Sequence, residues 1–515
     1  MEDSKKNVFG IIRIGTVNMD LKIVSYSTLA DRQTIENVSR EVHYGEEVVT
    51  THRISFQALN EICTVLNGFR QLLRDYQVDD VKVVTTTSLR DAENQLNAID
   101  QIRIRTGFSV DIVHMAEEIY YKFFGLYYDI DQGAFNFGRN SVLLMDMTSS
   151  CLGLTCWKED KILFQQNVHI GALGLMGSFT EKERNGITFT TTVREYIYGT
   201  LSPLWRGVQQ YDIQYLILSG QVAVRLGLLM GKKLYRGVGL IAAREFCDFV
   251  DSFSGITPFK LCRYFSISEN MANVLMPIIM LYYELLRHVD VQMIVLMDMT
   301  FTEGYSIHYL ATKLNDPYLT RQRWMLLELA RGIAVRYVSA PDHSRLIEEF
   351  CATIFNALFG KIGVDRIGCY LLRLAAIMHE WGKFVNLRKC DVCAYDLILT
   401  TDLFAISDEE KKMVANVAYF SYFGKVQERD DRFASLQPET KVMVAKLVAI
   451  FCLADALDKG HNGKIKSIEA ALHDNLLEIA YTSDFDVSLE KWAFMKIVPY
   501  FEEVFGMTPV LKRGR

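Results

Sequence analysis

A few short stretches hold the residues able to do chemistry. Arg13 closes one strand-like run and Arg90 sits in TTTSLRDAEN (85–94), just after another. Each guanidinium is a fixed cation, and an ordinary helix-start salt bridge is the plain reading of Arg90. Glu117 and Glu118 stand where a helical pattern opens, a position the helix dipole favours for acids on any protein. Cys390-x-x-Cys393 is half a zinc site, and no matching second pair follows.

The elements that must position these groups come in two kinds. Strand-like runs at 8–15 and 19–27 and a third piece near 41–50 precede a helical stretch at 55–76. Strands at 81–88 and 109–114 then alternate with helices at 91–105 and 115–127. The order recurs with runs at 141–149, 151–159 and 161–171, then strands at 215–220 and 291–299 between helical patterns. Two copies of three strands, helix, strand, helix, strand predict a duplicated α/β fold with mixed sheets and a cleft between the copies. After about residue 315 helical patterns dominate, at 321–337, 343–359, 368–381, 408–422 and 439–458, predicting an all-α third region. The expected domains are 1–135, 136–312 and 313–515.

Half of the 515 residues are hydrophobic and 23% charged, an ordinary globular balance with length for roughly three domains. A net charge of −6 gives no global attraction for nucleic acid or a membrane surface, so a polyanionic ligand needs a local basic groove. The charged start MEDSKK runs straight into a strand, so no signal peptide is expected. The longest apolar stretch, 274–286, is too short to span a bilayer and reads as a buried helix with Pro277 near its first turn. Ten cysteines are too few for a disulfide scaffold, and reduced thiols in the cytoplasm are the simplest reading.

Several stretches, in order along nearly the whole chain, resemble the exopolyphosphatase/guanosine-pentaphosphate phosphohydrolase family. TTTSLRDAEN resembles its Thr-x-x-Leu-Arg-x-Ala-x-Asn segment, and GFSVDIVHMAEEIYYKFFGL (107–126) its Gly-x-Glu-Glu-Ala helix start. NVHIGALGL (167–175) resembles a turn carrying a Gly-Ala pair, and VLMDMTFTEG (295–304) the segment closing the second domain. HSRLIEEF (343–350), LLRLAAIMHEWGKF (371–384), TDLFAISDEE (401–410) and LADALDK (453–459) resemble the family's helical HD-type domain. The resemblance implies two actin-like (ribonuclease H-like) domains whose cleft binds a phosphate chain. Mg²⁺ and a glutamate there help water attack the terminal phosphoryl group of polyphosphate or guanosine pentaphosphate. It also implies a cytoplasmic homodimer.

Placed on that pattern, this chain departs at several points. The first loop, Asp-x-Gly-Ser-Asn-Ser in the family, has Arg13 for the aspartate but keeps Gly15 and a hydroxyl at Thr16. Arg13 is either drift after loss of catalysis or a phosphate ligand in the metal's place. The second loop keeps Asp146 for the metal and for catalysis, but Thr148, Ser149 and Ser150 replace its glycines and Gly153 replaces its glutamate. Hydroxyls can bind phosphate yet resist the φ > 0 path that lets N–H groups converge on an anion. Gly171 and, in the third loop, which also keeps Ser219, Gly220 are further phosphate-binding candidates. Glu117 is the expected water-orienting residue, with Glu118 the alternative, and Arg90 the phosphate contact in the most intact motif. Asp298 and Glu303 read as structural. HD-type metal positions fall on His343, His379, Glu380 and Asp455, as a single-ion site or as polar remnants in a helical core. The expected activity is a weakened phosphohydrolase; the alternative is a polyphosphate- or nucleotide-binding regulatory protein.

Overall fold

The computed structural model describes residues 7–514 except 172–173, 176–177, 185, 187, 253–256, 336, 338–340 and 404–405. The charged start, Ala172 of the Gly-Ala pair with its neighbour Leu173, Arg336 in the 321–337 pattern and Phe404-Ala405 of TDLFAISDEE therefore lie outside the described residues. The chain divides into two compact units, one up to Gln322 and one from Arg323 onward.

The first unit holds two mixed sheets. In the first, β1 (Asn7–Ile14), β2 (Asn18–Tyr26), β3 (Gln33–Glu41), β4 (Asp80–Thr85) and β5 (Asp111–Ile112) take the order β3-β2-β1-β4-β5. In the second, β6 (Ser141–Met147), β7 (Leu152–Lys158), β8 (Lys161–Val168), β9 (Ile213–Ser219), β10 (Val238–Ala242) and β11 (Met293–Met297) take the order β10-β11-β9-β6-β7-β8. In each sheet the first strand is central, pairing antiparallel with the second and parallel with the fourth. The repeat expected from the sequence is therefore present in the topology. It is extended by β10, which pairs antiparallel with β11 and carries no strong periodic signal. The central strands read as nearly unbroken apolar runs because both faces are covered; Ile11, Ile12, Val142, Leu143, Leu144 and Met145 are all buried.

Three expectations need correction. The third strand is Gln33–Glu41, not 41–50, and Gly45–Thr51 is a helix. As an edge strand, QTIENVSRE is mostly exposed and needs no apolar alternation, whereas Val42, Tyr44 and Val48 drew the strand assignment by packing into the core from the following turn and helix. Pro277 lies well inside the helix Glu269–His288 rather than in its first turn. The second unit is mainly helical, but its end is not. β12 (Ser467–His473) and β13 (Leu476–Thr482) form a hairpin, and β14 (Thr508–Arg513) returns parallel to β13 after the helix Ser488–Phe505.

The helix Met115–Asp131 carries the candidate residues Glu117 and Glu118 in its first turn. It crosses the helix Phe301–Lys313 at backbone distance: a Cβ on Gly304 would stand 2.2 Å from the Tyr121 carbonyl oxygen, and one on Gly125 would stand 2.7 Å from Gly304 Cα. Glu303 pairs with Lys22 and Arg32, and Arg32 also with Asp129 at 2.9 Å, tying these helices to β2. No described helix is long and apolar enough to cross a membrane. All ten cysteines are free.

Candidate functional site

The loops after β1, β6 and β9 converge on the first turns of the Met115–Asp131 helix. Arg13, at the end of β1, folds over Gly15, where a Cβ would stand 2.5 Å from its Nη2 and equally close to the Asn18 carbonyl. Its ion pair with Asp20, at 3.6 Å, is longer than a hydrogen bond, and its buried Nε has no hydrogen-bond partner. The Tyr44 hydroxyl donates to the Gly15 carbonyl at 2.5 Å. Thr16 is buried with its hydroxyl unpartnered.

Asp146, near the end of β6, is fully buried. It forms an ion pair with Lys122 and accepts from the Ser219 hydroxyl at 2.9 Å, both on Oδ1, while Oδ2 has no hydrogen-bond partner. Lys122 is the functional residue that motif reading missed. Its signal is a lone lysine in the apolar run IYYKFFGL, one helical turn after Glu118. At the third loop Gly220 has φ of 83°, and a Cβ there would stand 4.0 Å from Lys122 Nζ.

The two adjacent glutamates separate. Glu117 accepts from the His114 backbone N–H at 2.9 Å and closes a capping box on its own helix. Glu118 is buried, and that burial raises its carboxyl pKa against the opposing pull of Arg13, Lys122 and Arg90. Its Oε2 has no hydrogen-bond partner. Glu117, expected to orient water, and its alternative Glu118 are thus placed differently. Acids at a first helical turn look alike in sequence, but Glu118 is the buried one, with Arg13, Lys122 and Arg90 around it.

Arg90 binds Asp91 in a two-pronged ion pair, Nε at 2.8 Å and Nη2 at 3.1 Å, and its Nη2 also donates to the Ser150 hydroxyl at 3.1 Å. Ser150 lies 3.0 Å from the Thr87 hydroxyl as well, so the Thr-Ser-Ser loop bridges the two sheets' domains. Gly171 packs on this loop, where a Cβ would stand 2.3 Å from the Ser149 carbonyl oxygen. The Cys151 thiol, buried beside Glu118, is held protonated by that burial and is no nucleophile. At Gly153 a Cβ would meet the Ile119 side chain at 2.6 to 2.7 Å. Ile119, where the family motif has alanine, fills the space of a side chain at 153.

A second cluster lies in the second unit, at the ends of its helices. His343, His379 and Glu380 present ligand atoms within 4.8 Å of one another. Asp455 Oδ1 is 3.6 Å from His343 Nε2, so all four residues read from the sequence come together. Four neighbours were not foreseen. Asp458 binds His343 Nδ1 at 2.8 Å, and His461 stacks on the His343 ring with centroids 3.6 Å apart. Lys459 holds Asp455 at 2.8 Å, and Lys383 holds Glu380. Burial opposes charge on His343, but the carboxylates of Asp455 and Asp458 beside it win and lift its pKa to about 9; burial lowers His379 to about 4. Cys390 and Cys393 are not in this cluster among the described residues.

Two actin-like halves around a cleft define the class, and the sequence comparison narrows it. The model of the Ppx/GppA phosphatase family matches residues 23–312, and the chain belongs to that family. The match begins after the loop that carries Arg13. Among solved structures, an Aquifex aeolicus Ppx/GppA family member is 17% identical with a TM-score of 0.51, covering 60% of this chain and 99% of its own. A Cytophaga hutchinsonii exopolyphosphatase is 21% identical, also with a TM-score of 0.51, covering 59% and 98%. No curated protein matches the chain.

Divalent-metal chemistry, as the family resemblance implies for the cleft, fits these residues poorly. A guanidinium stands at one ligand position, and the surviving aspartate already holds an ammonium.

Proposed function

We propose that this chain binds the terminal phosphates of polyphosphate or a guanosine polyphosphate in the cleft, with hydrolysis much reduced or lost. The observation that carries this reading is the Asp146 ion pair. The retained metal carboxylate is buried with its Oδ1 on Lys122 and the Ser219 hydroxyl and only Oδ2 unpartnered, so an ammonium already stands on the oxygen pair that Mg²⁺ would need. Phosphoryl transfer depends on charge neutralisation at the transferred group, which here falls to Arg13, Lys122 and Arg90 as fixed cations. Arg13, Gly15, Thr16, Ser149, Ser150, Gly171 and Gly220 line the proposed phosphate path. The proposal keeps domains at 1–135, 136–312 and 313–515, the last HD-type in ancestry with its acid–histidine cluster closed as an ion network. A cytoplasmic homodimer belongs to the same reading.

Turnover is the second reading. Glu118 favours it: a buried carboxyl with a raised pKa and an unpartnered oxygen suits a general base. Phosphate release from long-chain polyphosphate and guanosine pentaphosphate with Mg²⁺, measured beside binding of both, separates the two. Binding without release is expected. Release that Glu118→Gln abolishes and Glu117→Gln spares would instead establish an enzyme, and absence of any binding would sink both readings.

A further inference from the structure

We propose that the Lys122 ammonium is the resident cation of the cleft, so that the site takes an oligophosphate without a divalent metal. The ligand half of this inference rests on the function proposed above; the cation half does not.

Four observations converge. Lys122 reaches from the Met115–Asp131 helix to the second loop and pairs there with the fully buried Asp146. The same ammonium stands near the third loop at Gly220 and in the field of Glu118. The first loop offers the Arg13 guanidinium rather than an acid. The second loop has no room for another carboxylate, because Ile119 occupies the space beside Gly153. A compact ammonium on the one retained aspartate repels a dication strongly at such range. Mg²⁺ would also need near-octahedral oxygen ligands that the replaced residues no longer supply. What remains is a pocket whose positive charge is covalently attached to the chain.

Manganese titration followed by electron paramagnetic resonance tests the cation half on the full chain. Wild type and Asp146→Asn are expected to bind the same number of Mn²⁺ ions, and Lys122→Met to gain one. Loss of one ion on Asp146→Asn would overturn the proposal. Because Lys122→Met strands a buried carboxylate, the charge-neutral pair Lys122→Met/Asp146→Asn serves as the folded control and is expected to gain no ion; a gained ion there would place the new site elsewhere and count against the proposal. For the ligand half, short-chain polyphosphate in EDTA is the probe. The double variant should bind it about tenfold or more weakly than wild type, through loss of a charge-assisted contact. Unchanged affinity overturns the ligand half. No binding by wild type with or without Mg²⁺ overturns that half together with the function proposed above, while the manganese count still decides the resident cation.

Discussion

In the cleft of the first unit Arg13 stands where the family motif has an aspartate, Gly153 where it has a glutamate, and Lys122 pairs with the remaining Asp146. In the second unit His343, His379, Glu380 and Asp455 are all present and converge, yet Lys383 holds Glu380 and Lys459 holds Asp455. In the first the expected donors are replaced in sequence; in the second they are present but lysines pair with two of them. The common device is an ammonium laid on a carboxylate that is buried or nearly so, which satisfies the charge a metal would otherwise satisfy. A donor set can therefore look intact in sequence and still be filled by the chain itself.

The largest expected effect probes the cleft's half of this contrast. Lys122→Met should destabilise the first unit by about 3–5 kcal/mol, the cost of a buried charge left alone, and Asp146→Asn in the same chain should recover most of it. Denaturant unfolding of single and double variants reads this directly. If the single variant unfolds like wild type, the pair does not carry the site. Next, Gly153→Ala should cost about 1–3 kcal/mol by overpacking against Ile119, and Ile119→Ala, the residue type of the family motif, should relieve it. An additive pair would show that the two positions do not share one space.

The second unit should answer to pH. Folding raises the His343 pKa from 6.5 to about 9, so its contribution is complete below about 6.5 and fades as pH rises through about 9. His379 runs the other way: lowered to about 4, it costs stability as pH falls from about 6.5 toward 4. Stability of this unit should thus peak near neutrality, with limbs on the order of 1 kcal/mol per pH unit, and His343→Gln should flatten the alkaline limb and ease the acid one, since the His343 charge helps to lower His379. The smallest effect is at Glu117, where Glu117→Gln should cost about 0.5 kcal/mol or less, since a Gln still closes the capping box.

Legibility followed where each partner lies. The paired sheets were readable because central strands buried on both faces show as apolar runs; β3, exposed at an edge, was misplaced for the same reason. The closing hairpin was missed although alternation in SIEAALH and LLEIAYT flanks Asp474-Asn475, because the helical patterns before it set the expectation. At the sites, replaced ligands such as Arg13 are visible at fixed motif positions. Lys383 and Lys459 follow their acids by three and four residues, so helical spacing could have found them. Lys122 meets its aspartate across 24 residues and from a helix to a strand, and no local spacing announces that. Nor does sequence tell Glu117 from Glu118, since both suit a helix start and only the tertiary fold turns one inward.

The central claim is that the cleft supplies its own cations to a phosphate chain. Calorimetric titration of the wild-type chain with polyphosphate, once in EDTA and once in Mg²⁺, tests it most directly. Equal affinity in the two is the predicted result; binding that appears only with Mg²⁺ would contradict the account.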